Sequence, residues 1–296
     1  MEEIGVHIHK GIGVIFGGRR GKGERHMTTD IQICQLNISY KKSGYYQQVL
    51  KNIEFSIKAG TTMALVGETG CGKSTVGKAM IGLLPKQALI LSGEIQINGE
   101  NILKYNKKQW LEIRESKISI IFQEPISALN PVVPIGKQIE EAVGRKRYPQ
   151  KKERKRRVIE LLEEVGIQNP QEKQKCYPHQ ISGGQRQRVM IAMALAKKPE
   201  LLIADEPTTA LDAVVQNQIL ELLKKMQQKY HMSILLITHD FAVVKNMAEY
   251  MAVLLDGEIL EQGKTKEILK NPQSSYTKKL LSCIPAIDRP VKKLGK

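Results

Sequence analysis

The octet Gly67-Glu68-Thr69-Gly70-Cys71-Gly72-Lys73-Ser74 constrains this chain more than any other feature. It fits G-x-x-x-x-G-K-[ST], the phosphate-binding loop. Such a loop works between the end of a buried strand and the start of a helix. The short apolar run Thr62-Met63-Ala64-Leu65-Val66 before it predicts a buried parallel strand. Ser74 to Leu84 is rich in helix-compatible residues and stops before Pro85, which predicts the helix. Glycines let the backbone curl so that several N–H groups face the β- and γ-phosphates. The helix start adds its partial positive charge. Lys73 supplies a mobile full charge, and the Ser74 hydroxyl is a ligand for Mg²⁺.

The surrounding pattern is that of an α/β protein. Ile31, Ile33, Leu36 and Ile38 give an imperfect two-residue period, and Ile53-Phe55-Ile57 alternates with polar residues. Glu94-Ile95-Gln96-Ile97 enters Asn98-Gly99, a hairpin turn pair, and Asp256-Gly257 predicts a second such turn before Glu258-Ile259-Leu260. Further buried-strand candidates are 118–122, 201–204, 234–237 and 251–255. Between them, residues 126–195 change character. Val158, Leu161, Leu162 and Val165 follow helical spacing, and Val189 to Ala196 predicts a mostly buried helix. Strands alternating with helices predict a parallel sheet, interrupted by a helical insertion.

Two further constellations carry chemistry. Leu201-Leu202-Ile203-Ala204-Asp205-Glu206 is an apolar strand that ends in two acids. Parallel sheets bind ligands at that end of a central strand. Asp205 suits Mg²⁺, through water, and Glu206 is placed to polarise an attacking water. Ser182-Gly183-Gly184-Gln185 offers a helix cap or, with its exposed glycine N–H groups, a second anion site. Two phosphate-facing helix starts imply two ligands, or one ligand shared across a dimer.

Taken in order, the glycine loop, Gln123, Ile181–Gln185, Asp205-Glu206, Ala210-Leu211-Asp212 and His239 resemble the motifs of ABC-type ATPase subunits over about residues 30–270. The stretches 123–131, 177–179, 204–212 and 275–281 resemble the oligopeptide/dipeptide/nickel importer branch. The resemblance implies a P-loop NTPase core of the RecA-like kind with an antiparallel β subdomain and an inserted helical subdomain. The implied division is a leader over 1–27, an ATPase domain over 28–270 (28–122 and 186–270 for the core and β part, 123–185 for the helical part) and an extension over 271–296.

It also implies roles. ATP and Mg²⁺ are the expected ligands. Residues 67–74 and Thr75 would hold nucleotide, and Ser74, Gln123 and Asp205 would serve the metal. Lys73, Gln123, Glu206 and His239 would be catalytic, with His239 holding water and Glu206 in line. Ser182, Gly183, Gly184 and Gln185 would cover ATP bound to a second copy, with Asp212 crossing between the two. Tyr40 would stack on adenine, with Tyr45 and Tyr46 as close rivals. The implied partners are two membrane permease subunits, a second ATPase subunit, identical or different, and indirectly an extracellular solute-binding protein. The implied location is the cytoplasmic face of the cell membrane. Cargo stays open between peptides and nickel or another metal chelate.

Composition narrows the alternatives. The 296 residues carry 46 Lys+Arg against 30 Asp+Glu, a net charge of +16, which suits an acidic partner. A nucleic-acid-associated ABC ATPase of the repair or translation type is the competing reading. Against it, only about 110 residues separate the loop from Ser182, too few for a long coiled coil with sustained heptads. A regulatory module without turnover is disfavoured by the presence of Glu206 and His239. The run 145–157 holds nine basic residues and one acid. It reads either as a solvated helix face or as a contact for anionic lipid headgroups. The four cysteines are far apart and form no Cys-x-x-Cys pair, so an iron–sulfur or zinc site is not expected, and Cys283 stands alone near Lys296. The Gly/Arg-rich segment 17–25 lacks folded patterning, and the expected native start is Met27.

Overall fold

A computed structural model describes residues 30–42, 44–122, 128–209 and 211–282. The expected leader, Gln123, Ala210 and Cys283 lie outside the described residues. Among the described residues, ten strands form two sheets. The first is antiparallel, in the order β2-β1-β4-β5, from β1 (Ile31–Lys42), β2 (Tyr45–Ile57), β4 (Ala88–Ile97) and β5 (Glu100–Asn101). The second has the order β10-β9-β3-β8-β7-β6, from β3 (Thr62–Val66), β6 (Ile118–Ile121), β7 (Leu201–Asp205), β8 (Ser233–Thr238), β9 (Tyr250–Leu255) and β10 (Glu258–Lys264). Its strands run parallel except for β10, which returns antiparallel to β9.

Every residue of β3, β7 and β8 is buried, as continuous apolar runs in a doubly covered parallel sheet should be. Alternation then divides them between two cores. Ala64 and Val66 face a core shared with the helical insertion, and Met63 and Leu65 face a core shared with the antiparallel sheet. The imperfect period of β1 has a local cause. Gln35 adopts φ 46°, and the register with both neighbouring strands shifts around it. Gly93 of β4 admits this bulge, because a Cβ there would lie 2.5 Å from the Gln35 carbonyl oxygen. The Asn98-Gly99 and Asp256-Gly257 turns join β4 to β5 and β9 to β10, with both residues of each pair at positive φ.

The helix after the phosphate loop, α1 (Lys73–Met80), is shorter than the expected run to Leu84. Gly82 turns left-handed at φ 64°, and the Leu83 N–H returns to the Lys78 carbonyl at 2.8 Å. A Cβ on Gly82 would sit 2.6 Å from the ring of Trp110, which lies on α2 (Lys107–Ser116). The helix therefore ends where the chain must pass under an aromatic ring, a contact that local propensity does not encode.

The insertion contains α3 (Ile135–Val143), α4 (Lys151–Glu164), α5 (Pro170–Lys173) and α6 (Gly183–Leu195). The expected division at 185/186 falls within α6, which runs through it unbroken. Val158, Leu161 and Leu162 are buried on α4, as their spacing predicts. The basic run is not a uniformly solvated face. Arg154 pairs with Glu140 at 3.1 Å and Arg157 with Glu164 at 2.8 Å, both arginines being buried, while Lys151, Lys152, Lys155 and Arg156 stay exposed. Beyond the insertion come α7 (Ala213–Tyr230), α8 (Phe241–Met247), α9 (Thr265–Lys270) and α10 (Ser275–Ser282).

Candidate phosphate-binding and catalytic site

The carboxyl ends of β3, β7 and β8 meet at one place, and three of the sequence motifs meet there with them. Gly67 follows β3 under the β9–β10 hairpin, where a Cβ would stand 2.1 Å from the Leu254 carbonyl oxygen. Gly72 caps α1 at φ 109°, which starts the helix at Lys73. The buried Lys73 ammonium donates to the carbonyls of Gly67 and Glu68, both at 2.8 Å. The loop is thus closed around its own cation. Burial pushes the Cys71 thiol up, and neighbouring Lys73 partly offsets this. Cys71 in the loop is therefore a buried, protonated side chain rather than a reactive one.

Ser74, in the first turn of α1, donates to Asp205 Oδ1 at 3.1 Å. Asp205 ends β7 and is 6% exposed. Burial raises its pKa, the Ser74 hydrogen bond opposes that, and the adjacent Glu206 charge adds to it. Glu206 is shifted the other way. Its burial pushes the pKa up, but hydrogen bonds from Thr209 and His239 outweigh this and hold the carboxyl below the ordinary value of 4.5. The Thr209 hydroxyl lies 2.8 Å from Oε2, and His239 Nδ1 lies 3.0 Å from Oε1. Two neighbouring acids with oppositely shifted pKa values point to different tasks.

The Glu206 backbone supports this arrangement. It sits at φ 46°, uncommon for a residue with a side chain, and its N–H donates to the Ile237 carbonyl at 2.8 Å. That bond ties the end of β7 to β8, two residues before His239. The His239 side chain is 57% exposed and that of Glu206 10%, so the pair stands between the core and the surface. Sequence reasoning missed Thr209. A hydroxyl three residues after an acid that leaves its strand was the signal available.

The remaining candidates divide. The Tyr40 hydroxyl lies 3.4 Å from Thr75 Oγ1, beside the first turn of α1. Tyr45 and Tyr46 are 59% and 57% exposed at the start of β2. Ser182 caps α6 in a reciprocal capping box with Gln185, the two contacts being 3.3 and 3.2 Å. Both Ser182 and Gly183 are exposed. A Cβ on Gly184 would meet Val215 of α7 at 2.8 Å, so this glycine allows close helix packing as well. Asp212 caps α7 by accepting from the N–H groups of Val214 and Val215 at 3.1 and 2.9 Å. No described hydrogen bond joins residues 182–185 to residues 67–75.

A groove of 1040 Å³ opens between the core and the insertion. Its lining includes Leu83, Leu111 and Phe122, which are 41%, 55% and 38% exposed, together with Arg114, Arg145 and Arg147 and the acids Glu112, Glu115 and Glu141.

Comparison with known proteins agrees with this geometry. Residues 50–209 match the family model described as ABC transporter, and residues 260–296 match the one described as oligopeptide/dipeptide transporter, C-terminal region. The chain is 43% identical to the dipeptide transport ATP-binding protein DppD of Bacillus subtilis (strain 168), covering 87% of this chain and 77% of that one. It is 43% identical to the oligopeptide transport ATP-binding protein OppD of the same strain, covering 88% and 74%. Among solved structures, the dimeric post-hydrolysis state of the ATP-binding cassette MJ0796 bound to ADP and Pi superposes with a TM-score of 0.70 at 29% identity, covering 79% of this chain and 98% of that one. The structure of cbiO1 from Clostridium perfringens gives a TM-score of 0.70 at 30% identity, covering 81% and 90%.

Proposed function

The chain belongs to the ABC transporter ATPase family, and from that premise we propose that it hydrolyses ATP at an interface with a second ATPase subunit to drive peptide import through a membrane partner. The observation that carries this reading is the meeting of Lys73, Ser74, Asp205, Glu206 and His239 at the carboxyl ends of three adjacent strands. Lys73 and the loop N–H groups bind the β- and γ-phosphates. Tyr40 is better placed than Tyr45 or Tyr46 to meet the base, since its hydroxyl already reaches Thr75.

Ser74 and Asp205 fit Mg²⁺. They offer two hard oxygens 3.1 Å apart, suited to an ion that keeps most of its shell for water and phosphate. When bound, the ion neutralises charge on the phosphates. Gln123 joins this set on the strength of the resemblance alone. The ionised Glu206 orients the attacking water and takes up its proton. Thr209 and His239 fix the carboxylate at both oxygens, so that its lone pairs point in a single direction.

Ser182 and Gly183 are exposed at a helix start and make no hydrogen bond to residues 67–75, so they suit a phosphate held by another subunit. Asp212 lies at the neighbouring helix start, where it is placed to cross the same interface. Hydrolysis tied to closure of such a pair would move the insertion against the core. The groove between them, lined by apolar residues and by charges of both signs, suits a short helix from a permease subunit. As a subunit of such a transporter the chain would lie on the cytoplasmic face beside the permeases; no described helix is long and apolar enough to cross a membrane.

The match at residues 260–296 and the peptide names of the relatives favour peptides over nickel as cargo, delivered by an extracellular solute-binding protein. The nucleic-acid reading finds no support in these likenesses. The test is uptake of radiolabelled dipeptides and of nickel by cells whose gene encodes Glu206→Gln. Peptide uptake is expected to fall to background with nickel uptake intact. Peptide uptake that persists, in cells that make the variant at normal levels, overturns the cargo assignment.

A further inference from the structure

The basic run leaves two readings open, and the start of α4 bears on the choice. Three local rules of helix stability are broken there together. Gln150 precedes α4 and provides no side-chain cap. Lys151 and Lys152 occupy the first turn, where the helix dipole disfavours cations, and Glu153 is the one acid beside them. Lys151 and Lys155 are both exposed and stand four residues apart, a spacing at which like charges on a helix repel. Arg156 pairs with Glu160 at 3.2 Å, but among the described residues no ion pair reaches Lys151, Lys152 or Lys155.

These cations are held on a firm frame. The buried Arg154 donates to the carbonyls of Tyr148 and Pro149, at 2.9 and 2.8 Å, and so fixes the turn before α4 against the helix itself. On that turn Arg145, Lys146 and Arg147 are exposed. All three line the groove between the core and the insertion, where Lys146 approaches Glu115 of α2 at 3.9 Å. The groove's acids, Glu112, Glu115 and Glu141, lie on α2 and α3, away from the face of α4 that carries the lysines. Exposed cations therefore extend from the groove onto the start of α4. Folding accounts for the buried Arg154 and Arg157, but it gains nothing from the lysines. Local rules broken without a gain in packing mark a surface kept for another purpose.

We infer that this face of the insertion rests on anionic lipid headgroups beside the permease, with Lys151, Lys152 and Lys155 as its main contacts. The inference rests on the groove being where a permease subunit docks, because that turns the neighbouring cations toward the bilayer. Ammonium groups on flexible stems suit a diffuse layer of negative charge, which asks for no fixed geometry. A single-stranded nucleic acid would favour exposed aromatic rings, and the one aromatic residue of the run, Tyr148, packs on the core.

Sedimentation of the full chain with vesicles tests this, using phosphatidylcholine alone and phosphatidylcholine with phosphatidylglycerol in equal parts. Wild type is expected to bind the mixed vesicles at least about tenfold more tightly than the neutral ones, and less tightly as salt rises. Lys151→Glu, Lys152→Glu and Lys155→Glu combined should weaken that binding by about tenfold or more. The same variant should melt at or above the wild-type temperature, since acids replace cations at a helix start, and should bind ATP within about twofold of wild type. Lys266→Glu, Lys270→Glu and Lys279→Glu make the same change of net charge on α9 and α10, beside β10 at the sheet edge opposite β6 and the groove. This control is expected to keep vesicle binding within about threefold of wild type. Equal binding to both vesicles, an unaffected α4 variant or an equal loss in the control overturns the inference. So does a wild type that ignores the mixed vesicles and binds DNA at the same salt, which would assign the patch to nucleic acid. Titration of the same preparations with ATP reads the transporter assignment separately: a wild type that binds no ATP removes that assignment, while the vesicle measurements still decide whether the patch binds lipid.

Discussion

The Ser74 hydroxyl donates to Asp205 Oδ1 at 3.1 Å across 131 residues of sequence. One contact thereby joins the start of α1 to the end of β7 and sets two oxygens at the mouth of the phosphate loop. Burial raises the Asp205 pKa above the ordinary 3.8, so folding stabilises its neutral form. The charged form then costs stability at neutral pH, and the cost lessens as pH falls toward the folded pKa. Asp205→Asn keeps the shape and removes the charge. Its melting temperature at pH 7 is expected to equal or exceed that of wild type, while Mg²⁺-dependent strengthening of ATP binding drops by about tenfold or more. Calorimetry with and without Mg²⁺ measures both.

Lys73 and Glu206 separate binding from turnover. Lys73→Ala removes the buried cation and is expected to weaken ATP binding by about 100-fold or more, since charge-assisted contacts to phosphate are among the strong ones. Glu206→Gln retains ATP binding but should lower turnover by about 100-fold or more. It should also accumulate ATP-dependent dimers, with itself or with its paired ATPase subunit, visible by light scattering. A Glu206→Gln protein with normal turnover would remove this residue from its assigned role.

Thr209→Ala tests the fine tuning of the same carboxylate. The Thr209 hydrogen bond is the largest influence that lowers the Glu206 pKa. Its loss is expected to raise that pKa, so the acid limb of the pH–rate profile moves to higher pH. A limb that stays in place would mean that the other neighbours of Glu206, His239 and Lys73 among them, set its ionisation without Thr209.

A separate cluster links α4 to the end of α7. Arg157 donates to Glu164 at 2.8 Å and to the Tyr230 hydroxyl at 2.7 Å, Tyr230 also donates to Glu164, and Lys229 approaches Glu164 at 3.1 Å. Burial pushes the Glu164 pKa up, but hydrogen bonds from Tyr230, Arg157 and Lys229 prevail and leave it below the ordinary 4.5. A depressed carboxyl contributes stability that is present above its unfolded pKa and is lost as pH falls toward the folded one. Glu164→Gln is expected to cost about 2 kcal/mol at pH 7, with a smaller difference from wild type below about pH 4. Urea titrations at the two pH values check both statements.

Gly93→Ala addresses the bulge in β1. At φ 98° the new methyl would be strained and would press within 2.5 Å of the Gln35 carbonyl. The expected loss is about 2–4 kcal/mol, from backbone strain and overpacking together. Denaturant melts measure it, and a loss under about 0.5 kcal/mol would show that the bulge shifts freely.

Much of the molecule could be read before any coordinates. The phosphate loop lies where its apolar run and helix place it, and the fully apolar runs 201–204 and 234–237 are buried parallel strands beside it. Both Asn/Asp-Gly pairs form their turns. These features depend on neighbours within a few residues: a glycine's allowed φ, a run of side chains all needing burial, a cap next to its helix. Other features have no local signal. The early end of α1 under Trp110, the Gln35 bulge against Gly93, and the burial of Arg157 against Tyr230 each pair residues far apart in the chain. Periodicity says that a residue is buried or exposed, but it does not say against what. Packing and the pairing of buried charge are contests among distant groups, and those contests are decided only when the sheets and the insertion close on one another.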